Sequence, residues 1–558
     1  MAIHCALLSV ALFLAVAGSA AGKTTFGRSD TTGFDNPNIA NLSGLSIQAL
    51  PGSSVDWNYK SQPLRYASNQ TITMTRGKVL GGSSAVNGAL LTRPNKIDLD
   101  LWESAFGGMS GFKTRVKIID FAPYRNWDTI SASIKSAEHF SETDGLTSTL
   151  SFHGTVGPIC DSQRTPTGNV WGQGVIPAVL ASNGKQNVDQ NGGDPSGIWY
   201  TPKAMFPSSI RSYSANSYYL PNAGRANLQV MVDVTVSRII WDTSLNGKAV
   251  ATGVEYINTA GQTFTASGDR IILSGGVFGT PQVLELSGVG NPAVSDFSSC
   301  HTNVIHCARV NIEIMNPLGI STVVDLPAVG ENLVEQPTTK YVAALASVSI
   351  TNSGLQLTLN FESPRTLLTS EEWDTAHTLL QTAPPGLGDV AHQALIAMFM
   401  NDSVIVEFMG FPNPADLIFL PILLHPMSWG STSSPPMQPR RRHSTSRSAQ
   451  RARTFATQSL VPFLAAAGEI SPGTAVSTDA QFEQFVKDAV GVGYHPLGTA
   501  AIASVVDADL RVQGTTNVFV VDGSIIPIKP GSHPSSIIYG IGEKAAAMLK
   551  ASPLSDDV

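Results

Sequence analysis

The sequence predicts an α/β fold, α+β overall, and three observations support this prediction. The chain has 558 residues, of which 42% are hydrophobic, enough for one large two-domain protein or a few smaller domains. β-branched runs bounded by turn residues predict strands at Leu228–Asp242, Gly268–Gly276 and Asn517–Ser524. Near the C-terminus, the spacing of apolar residues over Ile541–Ala551 predicts a helix.

These elements belong to four zones of the chain. Residues 22–105 alternate Gly, Asn and Ser turns with short apolar stretches. Residues 150–335 are rich in predicted strands, among them Gly253–Ile257. Residues 338–490 mix helical and irregular segments, and the rest of the chain returns to strand and helix. The motif signal is weakest in the third zone.

Composition excludes several classes of function. The formal net charge is −7, and a mildly acidic surface argues against nucleic acid as the main partner, because phosphate binding needs clustered Lys and Arg. The eleven histidines and four cysteines show no CxxC, HExxH or similar spacing, so no metal site is predicted. Without Cys5, an odd number of thiols remains (Cys160, Cys300 and Cys307), so disulfides are not the main framework.

The N-terminus predicts a secretory signal peptide over residues 1–21. Cys5–Gly18 is a short apolar run followed by small residues. A membrane anchor is the alternative, but the run is short for a span and lacks a basic flank, and no later segment is apolar enough to cross a bilayer. Glycosylation tripeptides at Asn41, Asn69 and Asn401 agree with a secreted, extracellular glycoprotein.

Three segments do not fit their surroundings: 106–123, 295–316 and 434–453. The last carries six arginines and no acid. It could be a basic patch for nucleic acid or membrane, or a disordered surface loop or translated non-coding sequence. We favour the second reading, because no aromatic residue is interleaved with the arginines.

The stretch Thr75–Gly88, TRGKVLGGSSAVNG, has the composition of a ligand-binding turn. Gly81 and Gly82 let backbone N–H groups approach a phosphate or a flat ring without interference from a Cβ atom. Ser83 and Ser84 are expected to cap a helix that starts there and directs its positive end at an anion. The signal is weak when taken alone, because glycine-rich turns are common.

Two histidines occupy matching His-Pro turns, His495 in GYHPLGTAA and His533 in GSHPSS. They flank the strand NVFVVDGS, so they could converge on one pocket, although a single histidine in a turn is usually a surface residue. A histidine with a pKa near neutrality can take a proton from a hydroxyl group, which is the usual start of alcohol oxidation.

Several of these segments together resemble the signature segments of the glucose–methanol–choline (GMC) oxidoreductases, in particular the secreted fungal enzymes of the aryl-alcohol-oxidase type. They include RGKVLGGSSAVNG, Gly279–Pro292 (GTPQVLELSGVGNP) and Leu326–Pro337 (LPAVGENLVEQP). They also include GYHPLGTAA, VVDADLRVQG and NVFVVDGSIIPIKPGSHPSSIIYGIGEKAAAML. The resemblance extends over most of the chain outside the three atypical segments.

The resemblance implies a flavoprotein with FAD in a discontinuous Rossmann-like domain, here residues 22–105, 220–335 and 491–558. A substrate domain with an antiparallel sheet and helices would comprise 150–219 and 338–490. The implied reaction is oxidation of a primary or secondary alcohol by hydride transfer to flavin, with oxygen or a quinone as acceptor, in a monomer.

The resemblance also assigns roles to single residues. His495 would be the base that removes the alcohol proton, and His533 would hold the substrate oxygen. Residues along the FAD would be Val79, Leu80, Gly81, Gly82, Ser83, Asn87, Val236, Asp522 and Gly523. Of these, Val236 would lie near the adenine, while Asp522 and Gly523 would approach the pyrophosphate and ribityl chain.

The chain departs from the family at its N-terminus, because the first βαβ unit with its GxGxxG fingerprint is missing after residue 21. Gly288–Ala293 and Gly540–Ala545 fit the pattern but lack its strand–turn–helix context. A mispredicted gene would explain the loss, and a chain of this sequence is expected to retain little flavin. One alternative is a lyase or cyclase of the same fold without net redox, as the resemblance to the family also allows. The other is a flavin-free remnant that acts as a binding protein or has no activity, which the missing unit supports.

Overall fold

The structure is a computed structural model, and it describes fifteen stretches of the chain. They are residues 13–17, 23–26, 36–40, 49–65, 67–106, 126–142, 149–163, 174–181, 184–245, 247–291, 320–345, 358–381, 389–413, 416–426 and 464–552. The atypical segments predicted at 106–123, 295–316 and 434–453 lie outside the described residues, apart from Phe106. Asn41, Cys300 and Cys307 also lie outside them.

Strands are found throughout the described residues and are numbered here in chain order. They are β1 Phe13–Ala17, β2 Lys23–Phe26, β3 Tyr59–Lys60, β4 Thr73–Met74, β5 Glu138–Glu142, β6 Ile159–Gln163, β7 Gly197–Tyr200, β8 Lys203–Ala204, β9 Leu228–Met231, β10 Val234–Leu245, β11 Lys248–Asn258, β12 Thr263–Ser267, β13 Arg270–Ser274, β14 Val289–Gly290, β15 Val324–Asp325, β16 Pro337–Thr338, β17 Tyr341–Leu345, β18 Thr358–Glu362, β19 Val406–Asn413, β20 Asp416–Leu423, β21 Leu464–Ser471, β22 Gly491–Val492 and β23 Val518–Val520.

The helices are numbered in the same way. They are α1 Pro37–Ala40, α2 Ser83–Val86, α3 Lys96–Phe106, α4 Trp127–Ala137, α5 Ile176–Ala181, α6 Gly276–Leu286, α7 Pro364–Leu367, α8 Ser370–Leu380, α9 Asp389–Met400, α10 Asp479–Ala489 and α11 Ser535–Ala551. Within the part of the chain that the structure describes, none of these helices has the length and apolar character needed to span a bilayer.

The first sheet carries the predicted strands of the Rossmann-like domain in the order β23-β13-β1-β2-β9. β13 and β23 run parallel, with Ile271 opposite Val518 and Leu273 opposite Val520. All five residues of β13 are buried, as expected for the central strand of a parallel sheet with both faces covered. Helices α6 and α11 pack on this sheet through Leu284 and Ile537.

β1 pairs with β13 at the position where the missing βαβ unit predicts that a strand is absent. β1 runs antiparallel to both β13 and β2, and it belongs to the segment predicted to be a signal peptide. An apolar run at this position has a clear physical reason, since the edge of a buried strand otherwise presents unpaired backbone groups. The expectation that the sheet lacks a strand here is therefore corrected, although the strand is not part of a βαβ unit. The signal peptide itself stays a prediction.

A second, eight-stranded sheet takes most of its strands from the ranges predicted as the substrate domain. Its main path is β21-β17-β20-β19-β18-β7, and β16 pairs with β20 and β22. Every pairing in this sheet is antiparallel. The prediction of a mixed α/β protein with a separate antiparallel sheet is thus confirmed.

The predicted strand Leu228–Asp242 is two strands rather than one. Asp233 lies between β9 and β10 with φ at +58°, a left-handed conformation that ends a strand. β9 pairs with β2 in the first sheet, whereas β10 pairs with β11 in a separate antiparallel sheet. The single run of β-branched residues hid this change of direction.

A chain that begins at Gly22 tests the place of β1. We expect it to unfold at a temperature at least about 3 °C below that of the full-length chain, because β13 loses its neighbour. Thermal unfolding followed by circular dichroism makes the comparison, and a chain that begins at Ala11 is the control that retains the strand. Equal unfolding temperatures for all three chains would show that β1 does not contribute to the sheet.

Candidate functional site

A cleft opens where the parallel strands β13 and β23 end. Gly275 and Gly276 follow β13 at the start of α6, Asp522 and Gly523 follow β23, and all four line the cleft. The crevice beyond the carboxyl ends of parallel strands is the usual ligand site of α/β sheets. The topology therefore places the candidate site at this edge.

Asp522 holds the two strand ends together. Its Oδ2 accepts hydrogen bonds from the Gly276 N–H at 2.8 Å and the Thr280 hydroxyl at 2.6 Å, and its Oδ1 accepts one from the Ser524 N–H at 2.7 Å. Burial raises the pKa of this carboxyl above its ordinary value. Asp522 thus lines the cleft, and its carboxylate oxygens bind the protein's own turns.

Gly276 and the N-terminus of α6 offer a site for an anion. Gly276 has φ at +70°, and a Cβ atom there would meet no atom within 4 Å, so the backbone is open to the cleft. α6 is eleven residues long, and the positive end of a helix with exposed backbone attracts phosphate or carboxylate groups.

The predicted glycine-serine turn forms a wall of the cleft. A Cβ atom on Gly77 would lie 2.1 Å from the carbonyl oxygen of Gly82, so the two backbones can approach only because residue 77 is a glycine. Ser83 lines the cleft. Val79 and Leu80 are buried in the core that packs behind this turn.

The predicted helix caps at this turn are wrong. α2 begins at Ser83, and its N-cap is Gly82, which has no side chain to form a cap hydrogen bond. Ser84 instead donates to the carbonyl of Gly81 at 2.6 Å and lies 2.9 Å from the hydroxyl of Ser214. α2 has only four residues, so it supplies little helix dipole.

Aromatic rings form a flat-sided part of the same cleft. Trp57, Tyr59 and Phe278 all line it. The centroids of the Trp57 and Tyr59 rings are 6.1 Å apart, and those of the Tyr59 and Phe278 rings are 4.8 Å apart. Such faces suit a planar, partly apolar ligand.

Two residues of the predicted FAD set make other contacts. Asn87 accepts a hydrogen bond from Arg211 at 2.7 Å and donates one to Ser535 at 3.2 Å. Val236 is buried in the main hydrophobic core. The structure does not place either side chain among the residues that line the cleft described above.

His495 and His533 meet beside the cleft, which is lined by Pro496 and Gly523. Nε2 of His495 lies 3.0 Å from Nδ1 of His533, and the two rings are nearly perpendicular, with centroids 4.5 Å apart. His533 is buried, whereas His495 is half-buried. The two His-Pro turns are thus brought together.

Gln336 fixes the tautomer of His495. Its Nε2 donates to the carbonyl of Leu424 at 3.0 Å, so its Oε1 faces Nδ1 of His495 at 2.7 Å. An amide oxygen only accepts hydrogen bonds, so Nδ1 of His495 carries a proton. The neutral ring then keeps its lone pair on Nε2, towards His533.

Glu407 lies behind His533. Its Oε1 is 2.9 Å from Nε2 of His533, and the glutamate side chain is 1% exposed. A buried carboxylate in this position orients the imidazole and stabilises a positive charge on it. The result is a continuous row of side chains, Gln336–His495–His533–Glu407, which we call the histidine row.

Three charged side chains hold the backbone at His495. Glu335 accepts from the His495 N–H at 2.9 Å, and Lys529 donates to the His495 carbonyl at 3.1 Å. Arg76 donates to the carbonyl of Tyr494, a residue with φ at +62°. We call these three residues the charged clamp. They fix a turn that has little regular secondary structure of its own.

Burial and the clamp keep His495 neutral. Burial lowers the pKa of His495 well below its ordinary value, and the neighbouring His533, Lys529 and Arg76 lower it further. Burial also lowers the pKa of Lys529 to about 7, against the opposing effect of Glu335. His495 is therefore a proton acceptor over the neutral pH range.

The two His-Pro motifs indicate His495 and His533, but no sequence motif indicates Gln336, Glu407 or the clamp. Glu407 is an acid inside the strand VEFMGFPN, and an acid within an apolar strand was the available signal. Lys529 stands four residues before His533, and this short separation was the available signal that Lys529 lies near the histidines. The remaining contacts join segments that are far apart in the chain.

Comparisons with known proteins find relatives over most of the chain. Residues 12–338 and 437–542 match the N-terminal and C-terminal family models of the GMC oxidoreductases. The first match begins inside the segment predicted to be a signal peptide.

A dehydrogenase of Armillaria gallica is 30% identical over 590 aligned positions, which cover 93% of this chain and 86% of the relative. Among solved structures, an FAD-dependent oxidoreductase from Chaetomium thermophilum superposes with a TM-score of 0.75 at 20% identity, covering 92% of each chain. A fungal aryl-alcohol oxidase superposes with a TM-score of 0.72 at 22% identity, covering 91% of this chain and 92% of the other. At these identities, the two solved structures establish the fold.

Proposed function

The chain belongs to the GMC oxidoreductase family, and on that premise we propose that it is an FAD-dependent oxidoreductase that oxidises a primary or secondary alcohol. The observation that carries the proposal is the histidine row beside a cleft suited to a planar anion. A small alcohol is the proposed substrate, and oxygen or a quinone is the proposed acceptor.

The residues of the cleft fit FAD. The open backbone at Gly276 and the N-terminus of α6 suit a phosphate, while Trp57, Tyr59 and Phe278 suit a flat ring system. Asp522 would act indirectly by holding the Gly276 turn. When bound, FAD supplies the two-electron acceptor for the hydride of the carbinol C–H bond.

His495 is the proposed base. A substrate hydroxyl would displace the direct contact between the two rings, donating to the Nε2 lone pair of His495 and accepting from the Nδ1–H of His533. Gln336 keeps the other nitrogen of His495 protonated, so the ring has a single basic site. Removal of the hydroxyl proton raises the electron density on the carbinol carbon and favours departure of its hydride.

Glu407 and the charged clamp are proposed to position the histidines. In the doubly protonated form of His533, the carboxylate of Glu407 accepts from Nε2, while the Nδ1–H is directed at the substrate oxygen and stabilises the negative charge that develops there. The clamp holds the backbone of His495. A misplaced base loses rate steeply, since proton transfer needs heavy-atom distances of about 2.6–3.2 Å.

We also propose that the protein is secreted. The support is the apolar leader-like segment over residues 1–21 and the glycosylation tripeptides at Asn69 and Asn401. Placement of β1 in the first sheet requires that residues 13–17 remain in the chain. Expression in a fungal host tests secretion. The intact mass of any exported protein shows whether residues 13–17 are retained, since cleavage after residue 21 would remove β1.

The proposed activity is tested with the full-length chain, FAD and a panel of benzylic and aliphatic alcohols. We expect consumption of oxygen or reduction of a quinone dye with at least one alcohol. His495→Gln should lower kcat by about 10²–10⁴-fold, because it removes the base, whereas His377→Gln on α8 should have no effect. Conversion of substrate without any acceptor would favour the lyase alternative. Bound FAD without turnover of any alcohol would contradict the proposal.

Lys529→Met should move the acid limb of the pH–rate profile to higher pH. The charge of Lys529 contributes to the lowered pKa of His495, so its removal raises that pKa towards the ordinary value. The base works in its neutral form, and activity is then lost at a higher pH on acidification. The measurement is kcat/KM over about pH 5–8, with the exposed Lys340→Met as control. An unchanged acid limb would show that Lys529 does not act on His495.

A further inference from the structure

A second polar cluster lies outside the cleft, at the parallel strand pair β5 and β6. Glu138 begins β5, Asp161 lies in the middle of β6, and His153 lies in the connection between them. All three side chains are buried. One ligand atom from each of the three residues lies within 4.8 Å of the others. We call this group the β5–β6 cluster; it is independent of the proposed function.

Asp161 has no hydrogen-bonding partner that explains its burial. It is 0% exposed, and neither carboxylate oxygen has a hydrogen-bond partner among the described residues. Burying a carboxylate without a donor or a cation costs several kcal/mol. Glu138 faces it with oxygens that only accept in their ionised form. The two acidic groups therefore need a proton or a metal cation between them.

Glu138 is held with one oxygen directed at His153. Its Oε2 accepts from Arg93 and from the Gly154 N–H, both at 2.6 Å. Its Oε1 remains for Nδ1 of His153, at 3.0 Å. Two ligand atoms on one tetrahedral ion, each about 2.1 Å from it, stand about 3.4 Å apart. The observed 3.0 Å is a hydrogen-bond distance, and a small separation of the two groups would let both atoms bind one ion.

His153 is oriented from its other side by Asp189. Nε2 of His153 lies 3.2 Å from Oδ2 of Asp189, so a neutral imidazole that donates from Nε2 keeps its lone pair on Nδ1, towards Glu138. A carboxylate behind a histidine is the usual outer support of a metal ligand. The ring also stacks on Phe140, with centroids 3.7 Å apart.

The charges in this region favour a divalent ion. The region contains three carboxylates, those of Glu138, Asp161 and Asp189, and the guanidinium of Arg93 supplies a permanent positive charge beside them. With His153 neutral, the excess is two negative charges. One imidazole nitrogen with two carboxylate oxygens suits Zn²⁺ or Mn²⁺, whereas Ca²⁺ and Mg²⁺ favour sites made of oxygen alone.

We propose that Glu138, His153 and Asp161 bind one divalent transition-metal ion of the Zn²⁺ or Mn²⁺ type. The ion joins β5, β6 and the connection between them, and it serves as a structural clip. The sequence does not reveal this site, because the three ligands stand 15 and 8 residues apart, a spacing that no common metal motif uses. The cluster forms only when the two strands pair.

The test uses the full-length chain after removal of metals with a chelator. Addition of Zn²⁺ or Mn²⁺ should give one bound ion per chain by elemental analysis and a saturable rise in unfolding temperature, because the ion binds the folded state. Ca²⁺ should give neither effect. A wild-type chain that takes up no transition metal overturns the proposal and leaves a proton shared between Asp161 and Glu138 as the explanation.

Asp161→Asn keeps the shape of the side chain and removes its charge. We expect this variant to lose at least about 10-fold in metal affinity together with the metal-dependent rise in unfolding temperature. Asp507→Asn is the matched control, since Asp507 is a largely buried acid that accepts from the Asp509 and Arg511 N–H groups. Unchanged metal binding by Asp161→Asn would overturn the proposal. If that variant does not fold, the wild-type titration decides.

Discussion

The candidate active site depends on one constraint, the continuity of the histidine row. Each nitrogen in the row has a single role because its neighbour can only accept or only donate: the Gln336 amide oxygen sets the proton on His495, and His495 then accepts from His533. Glu407 closes the row from strand β19 of the eight-stranded sheet. The row thus joins that sheet to the turn before α11, and the relative position of these two elements sets the geometry of the base.

Burying the three charged side chains of the clamp costs free energy of folding, and we attribute their presence to their action on His495. Arg76, Glu335 and Lys529 surround one turn, and burial shifts the pKa of each towards its neutral form. Groups with such shifts concentrate at active sites. Apolar side chains would bury more favourably here, but they would neither hold the His495 backbone by hydrogen bonds nor lower the pKa of His495.

Much of the site could be predicted from sequence because its parts are local. The glycine-serine turn and the two His-Pro turns are short motifs with a fixed backbone role, and they needed no knowledge of distant contacts. Glu407 could not be found in this way, since 126 residues separate it from His533. The division of Leu228–Asp242 into two strands depends on a single residue with positive φ, Asp233. Strand β1 was missed because an apolar run at the N-terminus fits a leader and a buried strand equally well.

The central claim is that this chain oxidises an alcohol with His495 as the base. Anaerobic mixing of the FAD-reconstituted protein with the alcohol panel, followed by absorbance of the flavin, tests it most directly, because no acceptor needs to be known. The account predicts that at least one alcohol bleaches the flavin absorbance in the wild-type protein and that His495→Gln bleaches far more slowly while binding as much FAD. Flavin that stays oxidised with every alcohol, or that bleaches equally fast in the variant, would contradict the account.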